Sequence, residues 1–243
     1  HNGFTEKISQ FYISHELTKN QTILFGQGSR LPVNYDGSRG TMQMETVLKS
    51  QIGRNYADVF STGIRNIGSY KYMNYDIGIY DSTRYMKDFG QGLDFTGAVY
   101  FKPFSDFNEE LGNLKIGGAY NLGDYHISYH MYSAFLDYQY KKIHARSEYA
   151  NADGYNGIKE SQNSAEAFYT YLGYDLTEKL KIQARYDVFN PNTKIHYNTQ
   201  TEYTAGISYQ LFKNWKLMLN YVRVNNQSGA DSNRLLFATR FFI

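Results

Sequence analysis

The chain has 243 residues, with 25 tyrosines, 16 phenylalanines, 21 glycines, 3 prolines and no cysteine, and its formal net charge is +2. The missing cysteine excludes a disulfide framework, a thiolate metal site and a cysteine nucleophile, and so small a charge gives no argument for nucleic acid. No window approaches the roughly 18 consecutive apolar residues of a transmembrane helix.

The aromatic content of 17% is high, yet the mean hydropathy of −0.58 is clearly polar. Many tyrosines on a wet surface would make an adhesive patch. A transmembrane β-barrel resolves the conflict, because its outside needs apolar and aromatic residues while its inside needs polar ones, and averaging hides the membrane face.

In chain order, period-two alternation predicts thirteen strands near residues 7–17, 21–30, 56–66, 70–80, 92–102, 113–121, 131–140, 142–151, 166–176, 179–189, 201–211, 215–225 and 233–243. Each is about the length a tilted membrane strand needs, roughly 9–11 residues. In the segment at 142–151, Ile143, Ala145, Ser147 and Tyr149 oppose His144, Arg146 and Glu148. At 179–189, Leu180, Ile182, Ala184, Tyr186 and Val188 oppose Lys181, Gln183, Arg185 and Asp187. A shift of one residue would put Lys181 and Arg185 in lipid, so the pattern fixes the register. The next segment repeats it, with Tyr203, Ala205, Ile207, Tyr209 and Leu211 against Thr204, Gly206, Ser208 and Gln210.

Short turns fall at Thr18-Lys19-Asn20, Gly68-Ser69, Lys141-Lys142, Thr177-Glu178 and Phe212-Lys213-Asn214, and the stretch from Pro103 to Gly112 is a longer exception among them. Polar loops fall at 31–55, 81–91, 122–130, 152–165, 190–200 and 226–232. Short periplasmic turns alternating with long outer loops are the pattern of a bacterial barrel. The final segment places Leu235, Phe237, Phe241 and Ile243 on one face and Arg234, Ala238 and Arg240 on the other, like the closing strand of such a barrel. Because long loops follow even-numbered strands, the first strand starts at the outer face, and an even strand count predicts an odd number of strands before His1.

Several stretches resemble the phosphate-selective porin O and P family: Gly26-Gln27-Gly28-Ser29-Arg30-Leu31-Pro32, Ser50-Gln51-Ile52-Gly53-Arg54-Asn55-Tyr56, Tyr149-Ala150-Asn151-Ala152-Asp153-Gly154-Tyr155, Ala184-Arg185-Tyr186-Asp187-Val188-Phe189-Asn190-Pro191 and Glu202-Tyr203-Thr204-Ala205-Gly206-Ile207. The resemblance implies an all-β, antiparallel barrel of sixteen strands in the bacterial outer membrane, a homotrimer, and a long loop folded into the lumen. The chain would then be one barrel domain over 1–243 that lacks N-terminal strands, with 31–55 as the pore-constricting loop. Inside that loop, residues 41–49 could form a short helix with Met44 and Leu48 on one side; a mobile outer loop is the alternative reading.

A porin acts through pore width and the charge lining the pore, without covalent chemistry. Alternation assigns Arg65, Lys102, Lys115, Arg146, Lys181, Arg185, Arg234 and Arg240 to the lumen, with Lys216 possible, against the acids Asp76, Asp94, Asp137, Glu148 and Asp187. The loop adds Arg30, Arg39, Lys49 and Arg54. A wall with an excess of one charge raises the local concentration of the opposite ion, and arginine suits phosphate because its planar fork donates two parallel hydrogen bonds. Arg146 with Glu148, or Arg185 with Asp187, are spaced to pair as ordinary wall residues instead.

Trp215, beside a short turn, fits an interfacial aromatic girdle. His126 and His130 share a predicted loop, where their four-residue spacing does not make a metal site, and no catalytic or cofactor motif is present. The leading expectation is an outer-membrane porin passing small hydrophilic solutes, with a tilt toward inorganic anions such as phosphate. The alternative is a structural or adhesive barrel with a closed lumen.

Overall fold

In the computed structural model, the described residues are 11–27, 35–40, 43–56, 61–81, 92–154 and 163–241. Among these residues, thirteen strands form one sheet in strict sequence order, each antiparallel to the next. They are β1 (Phe11–Thr18), β2 (Gln21–Gln27), β3 (Thr62–Ser69), β4 (Met73–Asp81), β5 (Leu93–Phe101), β6 (Asn113–Tyr125), β7 (Ile127–Tyr140), β8 (Ile143–Asp153), β9 (Ser164–Asp175), β10 (Leu180–Asn190), β11 (Gln200–Phe212), β12 (Trp215–Asn226) and β13 (Ser232–Phe241). Among the described residues, three short helices interrupt the connections: α1 (Tyr35–Ser38), α2 (Gln51–Asn55) and α3 (Asn108–Leu111).

The faces follow the predicted alternation. On β10, Gln183, Arg185 and Asp187 are buried and Ile182 and Tyr186 are exposed. On β13, Leu235, Phe237 and Phe241 are 73%, 66% and 60% exposed while Arg240 is buried. Apolar residues outward and charged residues inward invert a soluble core, and that arrangement is stable only when lipid covers the outside. Ile243, assigned to the same lipid face, lies outside the described residues.

The sheet curls around the segment between β2 and β3. Tyr35 in that segment reaches Asp137 on β7, and Met44, further along it, is held by Arg240 on β13. What the curled sheet encloses is therefore partly the chain's own connection. Ala150 and Ala152 on β8 pair with Ala167 and Ala165 on β9, and all four are buried in one cluster with Ile52 and Tyr56. These small side chains leave room for α2, which packs on β9 and β10.

Three expectations need correction. The predicted outer loop at 122–130 is strand: β6 and β7 continue to Tyr125 and Ile127 and reverse at His126, whose φ is 60°. Histidine is among the residues that tolerate the left-handed region, so the turn carries no Gly or Pro signal. The turn predicted at Gly68-Ser69 lies one step later, between Ser69 and Met73. Gly68 belongs to β3, where the Tyr75 ring covers the space a side chain would need. Finally, residues 43–49 are irregular rather than helical, and Thr41 and Met42 of that predicted helix lie outside the described residues.

The connection from Lys102 to Gly112 is an ordered foot at the short-turn end. The Ser105 hydroxyl donates to the Lys71 carbonyl at 2.7 Å, Lys71 pairs with Asp106, and α3 ends at Gly112 with φ 80°. Trp215 lies at the same end, its indole N–H donating to Thr239 Oγ1 at 2.7 Å and its ring edge-on to Phe241.

The outward face predicts its own sensitivity. Ile207→Arg, mid-strand on β11, should lower the free energy of unfolding in lipid vesicles by about 2–4 kcal/mol, read from the urea midpoint. An unchanged midpoint would mean that this face is not in lipid.

Candidate functional site

Residues 35–40 and 43–56 lie against the inner wall, and their backbone is held there by wall side chains. Glu148 on β8 accepts the Tyr35 and Asp36 amides at 2.7 and 3.1 Å. Asp187 on β10 accepts the Gln51 amide at 2.8 Å, and Asn220 on β12 accepts that of Val47 at 2.6 Å. The carbonyls are taken by cations. Arg185 donates to Leu48 O, Lys49 O and Thr46 Oγ1 at 2.8, 3.2 and 2.7 Å. Arg240 donates to Met44 O, Thr46 O and Val47 O at 3.3, 3.2 and 2.9 Å, and Lys216 to Met44 O at 3.1 Å. A helix over 43–49 would pair the Met44 carbonyl internally and leave those of residues 46–49 without helical partners; the wall arginines satisfy them in the irregular conformation instead.

The segment is also braced on itself. Lys49 donates to the Asp36, Gly37 and Arg39 carbonyls. Asp36 accepts the Ser50 amide at 2.7 Å, and Ser50 caps α2 by accepting the Gly53 amide at 3.1 Å. A Cβ on Gly53 would lie 2.8 Å from Asp36 Oδ2, so the close approach of α1 and α2 requires glycine there.

At the centre, Glu45 sits between two guanidinium groups. Arg39 donates to it at 2.7 and 2.8 Å, and Arg146 at 3.1 and 3.2 Å. Arg146 also pairs with Asp137 at 3.2 Å, and Asp137 accepts the Tyr35 hydroxyl at 2.5 Å. Tyr35 stacks on Phe135 with centroids 4.1 Å apart. Burial pushes the Glu45 and Asp36 carboxyls up, but the arginines outweigh it: Arg146 and Arg39 for Glu45, and Arg39 first for Asp36, hold them below the ordinary carboxylate range. Both therefore remain charged at neutral pH and keep the arginines in place.

Beneath this cluster, toward the short turns, lies a cavity of about 560 Å³. Arg39, Arg65, Lys115, Arg146, Lys181 and Lys216 line it with Glu45, Asp76 and Asp137, so six cations face three carboxylates. Tyr35, Tyr100, Phe135 and His144 complete much of the wall.

The sequence-assigned residues thus divide. Arg65, Lys115, Arg146 and Lys181 reach the cavity from the strands and Arg39 from the loop. Arg65 is clamped by both oxygens of Asp76, and Lys181 lies 3.5 Å from Asp175. Lys115 has no carboxylate within ion-pair distance among the described residues and sits 6.0 Å from the centroid of Tyr100. Lys49, Arg185 and Arg240 fasten the loop, and Arg54 pairs with Glu202 at 2.5 Å. Lys102 stands apart, at the foot, donating to Tyr70 O at 2.5 Å. Arg234 lies on the inward face of β13, opposite Val222 and away from the cavity. Arg30 lies outside the described residues.

The expected pairing of Arg146 with Glu148 is not formed. Loop amides occupy Glu148, and Arg146 turns to Glu45 and Asp137. Arg185 Nε does lie 3.3 Å from Asp187. Sequence reasoning missed Glu45, which stands in a loop with no strand alternation, and His144 as a cavity residue, although its alternation had placed His144 inward. His144 lies 2.7 Å from Asp175.

No curated protein matches the chain. Among solved structures, it is similar to the outer-membrane channel DcaP of Acinetobacter baumannii, at 11% identity and a TM-score of 0.63, covering 92% of this chain and 72% of that one. It is similar to OmpT of Vibrio cholerae at 11% identity and a TM-score of 0.63, covering 96% and 80%. OccK3 (OpdO) of Pseudomonas aeruginosa aligns at 13% identity and a TM-score of 0.60, covering 93% and 67%. At these identities the likeness shows the fold, an outer-membrane β-barrel. The model of the family described as phosphate-selective porin O and P matches residues 105–239. That match spans more than half of the sequence, and the chain belongs to this family of outer-membrane porins.

Proposed function

We propose that the protein is a passive diffusion pore for small hydrophilic solutes, with a preference for inorganic anions such as phosphate, in which the segment 35–56 narrows the lumen. The observation that carries the reading is the excess of six cations over three carboxylates around the cavity beneath that segment. In a low-dielectric passage this imbalance enriches anions and excludes cations. In this reading the chain's own residues act by charge and width alone, and a homotrimer is the assembly expected for this family.

The anchoring pattern refines which cations would meet a solute. Arg39 and Arg146 are committed to Glu45, and Arg65 to Asp76. Lys115, and Lys181 with its longer ion pair, are the most available. Lysine presents a strongly hydrated point charge rather than a bidentate fork, which suits transient attraction better than tight binding.

In a planar bilayer under a potassium chloride gradient, the full-length protein should reverse on the chloride side, and added phosphate should reduce the current. A potassium-side reversal would rule out the anion reading, and no conductance would favour the closed structural barrel. The double variant Lys115→Glu with Lys181→Glu leaves four cations against five carboxylates around the cavity and should move the reversal potential toward the cation side. Arg185→Ala removes three anchors of the segment. Each hydrogen bond to a charged group is worth about 1.5–3 kcal/mol, so even one of them sets a roughly tenfold or larger bias against loop release. Larger and noisier single-channel currents are expected, and unchanged currents would show that the segment does not limit the passage.

A further inference from the structure

Arg223 is the only arginine or lysine on a lipid-facing strand position among the described residues. The register of β12 sets it outward, opposite Tyr203 and Asn233 and between the buried, inward Val222 and Val224. It stands near the end of β12 that leads into the connection 227–231, at the loop-side boundary of the membrane. An arginine on the lipid face costs about 2–4 kcal/mol at mid-bilayer and roughly 0–1 near the interface, so only this height tolerates it. Its Nε donates to Asn225 at 2.9 Å and its Nη2 lies 3.4 Å from Asp231, while Nη1 has no partner among the described residues. Half of the side chain is exposed.

Beside Arg223 the outer surface is concave. Ala184 faces Ala205 across β10 and β11, with Leu172 and Tyr221 on their far sides. Two adjacent alanines leave a trough where neighbouring rows carry large side chains. The tilted pair Tyr186 and Tyr203, with centroids 5.3 Å apart, forms one wall. The resulting hollow is about 510 Å³, lined almost wholly by apolar atoms and reaching Arg223 at one end. That size lies within the roughly 300–1,000 Å³ of ligand sites.

We propose that this hollow holds one acyl chain of an outer-leaflet lipid whose phosphorylated headgroup is bound by Arg223. The occupant follows from the chemistry of the two ends. An apolar trough on a lipid-facing wall fills with hydrocarbon, and a guanidinium with an uncommitted Nη1 at the boundary complements a phosphate. Asp231 is an exposed counter-ion at 3.4 Å, weak enough to be displaced by an oxyanion. This assignment is independent of the selectivity of the pore.

Native mass spectrometry of the detergent-purified full-length protein with diphosphorylated lipid A tests it, with lipid A lacking both phosphates as the control. Wild type should retain the phosphorylated lipid and release the control. Arg223→Gln should weaken retention about tenfold, the scale of one charge-assisted hydrogen bond. Ala205→Trp should do the same by filling the trough, while both variants keep the wild-type migration of the folded barrel on a gel. Equal retention in both variants would overturn the proposal. So would loss of oligomers on Ala205→Trp with lipid retention unchanged, since the hollow would then belong to a second copy of the chain.

Discussion

A peptide segment placed inside a barrel must find partners for every amide and carbonyl that it does not pair itself. Residues 43–50 form no helix or strand, and their orphan groups meet Arg185, Arg240, Lys216, Asn220 and Asp36. Most of the internal arrangement depends on this satisfaction. The wall charges need counter-charges or carbonyls to remain inside, and the segment needs the wall to keep its shape. Neither half is stable alone, because a buried guanidinium without partners is costly and so is a buried unpaired carbonyl.

On the barrel wall, that mutual dependence rests mainly on two arginines. Arg185 and Arg240 each reach three loop acceptors at once. A planar fork holds its acceptors in a fixed geometry, whereas the Lys49 ammonium gathers three loop carbonyls with donors that have no fixed direction. Of the wall lysines, Lys216 also holds a loop carbonyl, while Lys115 and Lys181 line the cavity beside Arg65 and Arg146. A chain of the same charge with these types exchanged would have a similar field and a poorly fixed loop.

The faces of the strands were legible in the sequence because period two survives any detail of the turns. Lys181, Arg185 and Arg240 could be set inward, and Leu235 and Phe237 outward, from alternation alone. Connections were legible only where local chemistry decides them. Polar residues between Asn121 and Ile127 looked like loop, yet a hairpin reversing at His126 is held by the neighbouring ladder, which no local signal announces. Residues 43–49 carry helical spacing at Met44 and Leu48, and distant arginines override it. The role of Glu45 was hidden for the same reason, since its partners Arg39 and Arg146 come together only after the sheet curls.

A wall one strand thick has two independent surfaces, and alternation lets one sequence shape each without disturbing the other. On β8 and β9, the inward alanines 150, 152, 165 and 167 make room for Ile52 and Tyr56. On β10 and β11, the outward Ala184 and Ala205 make a hollow on the opposite side of the same sheet. The neighbours of those outward alanines, Gln183, Arg185, Thr204 and Gly206, continue to serve the interior. Concavity is made in both places by small side chains at paired register positions. What fills each is decided by the medium it faces: a folded segment of the chain within, and lipid without.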